Sequence, residues 1–93
     1  GKLGDTDPNN GAVLFNEAIK IAADKLPDDC QLLCELYKGL AKLLSDDEDY
    51  AAAEAAFSKA SEYCAADQYG DQYYIQYLRA YNYKNWEKYQ EAA

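Results

Sequence analysis

Between Tyr37 and Ala60 the chain places Tyr37, Leu40, Ala41 and Leu44, then Tyr50, Ala53, Phe57 and Ala60, at helical spacing in two consecutive runs. Residues three and four apart share a helix face, so each run presents one apolar strip to a neighbour. Ala41, Ala53 and Ala60 let two helix axes approach closely, while Tyr37, Leu40, Leu44 and Phe57 supply the bulk between them. This pattern commits the middle of the chain to a packed helix pair.

The flanking segments extend the same logic. Gly1 to Gly11 is rich in Gly, Asp, Asn and Pro, the composition of a turn or flexible terminus, so residues 1–11 are expected to be a flexible segment and 12–93 a single domain. From Ala12 to Leu26, the residues Leu14, Phe15, Ala18, Ile19, Ile21, Ala22 and Leu26 gather on one side of the helical wheel, opposite Asn16, Glu17, Lys20 and Asp24. Pro27, Asp28 and Asp29 end that helix, and an Asp at the next start caps free backbone N–H groups. The second helix is expected from about Cys30 to Leu44 and the third from about Tyr50 to Asp67, separated by the acidic turn Ser45 to Asp49. Gly39 inside the second helix costs about 1 kcal/mol relative to Ala, which hints at another backbone passing close by. A fourth helix, from Asp71 to about Ala92 with a possible kink near Asn85, carries Tyr73, Tyr74, Ile75, Tyr77, Leu78, Tyr81, Trp86 and Tyr89 over more than half its circumference. That arc is wider than one neighbouring helix buries. It is either a terminal helix whose Tyr hydroxyls reach water, or an aromatic contact surface.

Composition narrows the function. A formal net charge of −8, with nine Lys and Arg scattered through the chain, argues against nucleic-acid binding, which needs clustered cations on the phosphates. No apolar stretch reaches membrane-spanning length and no signal-peptide pattern is present. Cys30, Cys34 and Cys64 form no CxxC pair and no His is available, so buried reduced thiols and a cytoplasmic location are expected. The chain contains no Met and begins with Gly, as a processed product, an excised fragment or an engineered protein does.

The run from Tyr37 to Ala60 resembles a tetratricopeptide repeat: a large aromatic, Leu and a small residue on one helix, then an aromatic near the turn, Ala, Phe and Ala on the next. Phe15 to Ile19 resembles the start of such a repeat's second helix, and Asp7 to Asn10 the link between repeats, displaced from its usual place. Downstream, Tyr81 to Lys88 resembles the turn into a further pair but is two residues short, and Cys64, Ala65 and Ala66 stand where the closing Pro is usual. One repeat flanked by degenerate or capping helices describes the chain better than a regular array, because a lone helix pair cannot bury both apolar faces. The resemblance implies a protein-binding scaffold whose first helix lines a concave groove, with Glu35, Lys38 and Lys42 pointing into it. In some members, cations at such places clamp a ligand's terminal carboxylate. Here only the two lysines match that arrangement.

Catalytic chemistry finds little footing: there is no His base, no Gly-rich phosphate loop and no nucleophile motif. Asp5, Asp7 and Asn9 alternate like the start of a calcium loop, but Gly11 and Glu17 each arrive one position late and Pro8 stiffens the middle. The expectation is therefore an all-α domain of about four antiparallel amphipathic helices, either a tetratricopeptide-like array or a small helical bundle. It is expected to be non-enzymatic, without cofactor, metal or catalytic residue, and to bind a protein or peptide rather than nucleic acid or membrane. The contacts expected to carry this are Glu35, Lys38 and Lys42 on the groove and Tyr73, Tyr77, Tyr81 and Trp86 on the last helix. The alternative is a structural or engineered bundle that forms a homo-oligomer through that Tyr- and Trp-rich helix, with no ligand.

Overall fold

The computed structural model describes residues 9–64 and 69–92. Four helices follow one another: α1 (Asn9–Lys25), α2 (Cys30–Asp46), α3 (Tyr50–Tyr63) and α4 (Tyr69–Ala92). No strand occurs among the described residues. The first helix begins three positions before Ala12, so Asn9, Asn10 and Gly11 belong to it rather than to a flexible segment. The rest of that segment, with Asp5 and Asp7 of the calcium-like run, lies outside the described residues, as do positions 65–68, into which α3 was expected to continue. α4 runs unbroken through Asn85.

The packing is sequential, with α2 on α3 as the most extensive interface, α1 on α2, α4 on α3, and only a light touch between α2 and α4. The result is a slab with extents of 41 × 33 × 15 Å. Leu33, Leu40, Ala41 and Leu44 of α2 meet Ala53, Ala56, Phe57 and Ala60 of α3, all buried. Ala41, Ala53 and Ala60 are wholly inaccessible, as small residues between closely approaching axes must be. Tyr37 stacks on Tyr63 at the edge of this interface, with ring centroids 5.6 Å apart.

Two devices shape the turns. Asp29 caps α2 by accepting a hydrogen bond from the Leu32 N–H at 3.1 Å. At the other end of α2 the Asp49 N–H donates to the Leu44 carbonyl (2.9 Å) and the Glu48 N–H to the Ser45 carbonyl (3.0 Å), the pair of bonds that closes a helix through a left-handed residue. That residue is Glu48, with φ 67°, a position where Gly carries no steric penalty and Glu does. Gly39 accommodates a side chain rather than a backbone: a Cβ there would stand 2.7 Å from the Phe15 ring.

Two further expectations are overturned. Leu14, Ile21 and Leu26 were grouped with the buried face of α1, yet all three are more than half exposed. Because α1 packs on α2 alone, only the strip bearing Ala12, Ile19 and Ala22, with Phe15 beside it, is covered. The thiols are not all reduced either: Cys34 and Cys64 form a disulfide, with Cα atoms 5.2 Å apart, and join α2 to the end of α3. Cys30 is free and exposed.

Candidate functional site

The site is built by the way α4 attaches. Gln72, Ile75, Arg79, Asn82 and Trp86 fall three or four residues apart and so form one stripe along α4. This stripe, not the tyrosines, is the seam against α3. Gln72 donates from Nε2 to the Ser61 carbonyl at 2.8 Å and to the Cys64 carbonyl. Ile75 is fully buried. Arg79 makes a two-pronged ion pair with Glu54, Nε to Oε1 at 3.2 Å and Nη2 to Oε2 at 2.5 Å. The hydrogen bond donated to Glu54, together with that carboxylate's charge, pushes the Arg79 guanidinium pKa up despite some desolvation. Asn82, inaccessible to solvent, donates from Nδ2 to the Tyr50 carbonyl at 3.1 Å and accepts from Ser45 Oγ at 2.7 Å, binding the end of α2 and the start of α3 at one point. At the seam's end the Tyr50 ring is buried against Trp86 (centroids 6.4 Å) and Tyr89 (5.7 Å). Burial first, then the Glu48 and Tyr89 charges, raise the Tyr50 pKa.

With the polar stripe turned inward, the aromatic stripe faces outward. Tyr73, Tyr77 and Tyr81 are 80%, 56% and 53% exposed, and the Tyr77 and Tyr81 rings tilt together with centroids 6.3 Å apart. Between α2 and α4 opens a cleft of about 330 Å³. Phe57 and Leu78 line its apolar part, Tyr77 and Tyr81 come from α4, and Lys42, Ser45, Asp46 and Asn85 contribute its polar atoms. A shallower apolar shelf lined by Gln72, Tyr73, Gln76 and Tyr77 continues it along α4 through the shared Tyr77.

The residues read from the sequence as two surfaces are thus largely one. Lys42 meets Tyr77 and Tyr81 across the cleft, and Lys38 lies over the Tyr74 ring with its ammonium 5.8 Å from the centroid. Tyr73 sits on the connecting shelf. Glu35 is held beside Lys38, 3.1 Å away, and Lys42 is 3.5 Å from Asp46. Trp86 belongs elsewhere: it packs on Tyr50 and stacks on Tyr83 with centroids 6.0 Å apart, in the seam and its edge. Reading by residue type missed Asp46, Ser45 and Asn85 at the cleft and Asn82 beneath it. The signal available was the recurrence of Gln72, Arg79 and Asn82 around Ile75, a polar stripe on a helix whose aromatics draw the eye.

No group of three or more His, Cys, Asp or Glu side chains among the described residues is placed to hold a metal ion. No described helix is long and apolar enough to cross a membrane. Compared with protein-family models, curated proteins and solved structures, the chain matches none.

Proposed function

We propose that this chain is a non-enzymatic interaction module, a tetratricopeptide-like helical array that holds a peptide or protein segment in the cleft between α2 and α4. The supporting observation is the meeting of Lys42 and Asp46 with Tyr77 and Tyr81 across one cleft floored by apolar side chains. Such a surface pairs a few orienting polar groups with exposed aromatics, which supply contact area at low conformational cost. Glu35 and Lys38 extend it along α2 and Tyr73 along α4. Trp86 serves the proposal differently, by fixing α4 against Tyr50 so that the tyrosine stripe is presented rigidly. The cytoplasmic location inferred from reduced thiols loses its premise at Cys34 and Cys64, since a disulfide suits an oxidising compartment better.

Self-association is the competing reading, and it is favoured by the apolar exposure at both ends of the slab, Leu14 and Ile21 on α1 and Tyr73 on α4. Light scattering across a concentration series separates the two. A monomer supports the module, and an oligomer dispersed by Tyr73→Ala supports assembly. The direct test is selection from a displayed library of random peptides. Enriched sequences that bind the parent and not a Tyr77→Ala, Tyr81→Ala protein support the cleft; enrichment indifferent to those changes refutes it.

A further inference from the structure

We propose that the occupant of the α2–α4 cleft is an extended cationic segment, with an Arg side chain laid against Tyr77 and Tyr81 and its guanidinium on the Asp46 carboxylate. This assignment rests on the peptide-binding reading of the same cleft and adds the chemistry of the partner. Three observations carry it.

The lysines that could grip an anion are already engaged. Lys38 contacts Glu35 and lies over Tyr74, and Lys42 pairs with Asp46. An incoming carboxylate has to share an ammonium with one of the protein's own and meets that group's repulsion. Asp46, by contrast, is two-thirds exposed and meets Lys42 through Oδ2 at 3.5 Å, while no described residue pairs with Oδ1. A guanidinium can bind that oxygen without expelling Lys42, because a carboxylate accepts at both oxygens.

The protein also displays the contact on itself, in the Lys38 ammonium over Tyr74 on the same helix that carries Tyr77 and Tyr81. A cation over a tyrosine face is attracted by the ring's quadrupole, and Arg uses this geometry more readily than Lys. Finally, the net charge of −8 repels anionic segments and draws cationic ones before contact.

Shelf and cleft together run from Gln72 to Asn85 along α4, about 20 Å at the helical rise, which seats roughly six extended residues. The arginine belongs at the Asp46 end, and apolar side chains belong on the Tyr73 shelf, where Gln76 provides an amide for the peptide backbone.

The test uses capped six-residue peptides of one apolar background carrying Arg, Lys, Glu or norleucine at a single position, titrated into isotope-labelled protein and followed by NMR. The Arg peptide should bind about tenfold tighter than the Glu peptide, with shifts at Asp46, Tyr77 and Tyr81. Asp46→Asn should weaken it about threefold, an effect that fades with added salt. Tyr77→Leu keeps an apolar wall without the ring quadrupole and should remove most of the preference for Arg over norleucine. Equal affinity for all four peptides, or a stronger Glu peptide with shifts at Lys42, overturns the cationic assignment while leaving peptide binding intact. Absence of binding by all four, together with a library selection that yields nothing dependent on Tyr77 and Tyr81, overturns both.

Discussion

Removing the Asn82 side chain should loosen the whole of α4 from the slab. Asn82 is fully buried and polar, and its amide makes two hydrogen bonds that no other residue can replace, to the Tyr50 carbonyl at 3.1 Å and from Ser45 Oγ at 2.7 Å. Each such bond is worth about 1 kcal/mol net. Asn82→Ala loses both and leaves a small void, which adds a cavity term of somewhat under 1 kcal/mol. The Tyr50 carbonyl keeps its own helical partner and Ser45 can turn its hydroxyl toward the preceding turn, so the full penalty of two orphaned groups is not incurred. The expected loss is about 2–3 kcal/mol, a fall in Tm of roughly 10–20 °C for a domain of this length. Urea unfolding followed by far-ultraviolet circular dichroism measures it. Ser45→Ala should lose about 1 kcal/mol alone, and the double variant should show a coupling of similar size. Hydrogen exchange in α4 should quicken more than in the α2–α3 interface. A loss below about 0.5 kcal/mol, or an Asn82→Leu protein as stable as the parent, would refute the idea that a polar seam holds α4.

Other perturbations probe the turns and the core. Glu48→Gly relieves the left-handed strain at the close of α2 and should stabilise the fold by about 1 kcal/mol, read as a raised urea midpoint with unchanged slope. Gly39→Ala sets a helix-propensity gain of about 1 kcal/mol against overlap with the Phe15 ring that costs about 1–3 kcal/mol, so a net loss near 1 kcal/mol is expected; adding Phe15→Leu should recover it. Reduction of Cys34–Cys64, which are 30 residues apart, should cost about 3.5 kcal/mol on the chain-entropy account, visible by comparing urea titrations with and without reductant. The raised Tyr50 pKa makes its contribution complete below the ordinary phenol value near 10 and lost as pH climbs through the higher folded value; Tyr50→Phe should flatten the alkaline loss of stability in that window.

Helical periodicity was enough to identify α2 and α3 and their facing residues, because which residues share a helix face depends only on local geometry. How many neighbours a face has does not follow from local geometry. Leu14 and Ile21 have the same periodicity as Ile19 and Ala22, and only the position of α1 at the slab's edge leaves the first two in water. On α4 the same limit left open which part of the wide aromatic arc is covered, and the hydrogen-bonding reach of Gln72, Arg79 and Asn82 to α3 set the seam on their stripe and left Tyr73, Tyr77 and Tyr81 outside. Cys34 and Cys64 looked like separate core thiols until the α2–α3 crossing brought their Cα atoms to 5.2 Å. Lys42 and Tyr77 were each legible as surface residues from their helices, but their meeting across one cleft depends on where α4 docks. Pattern along the chain decides faces; contacts between residues distant in sequence decide which faces are covered, which cysteines pair and which side chains share a site.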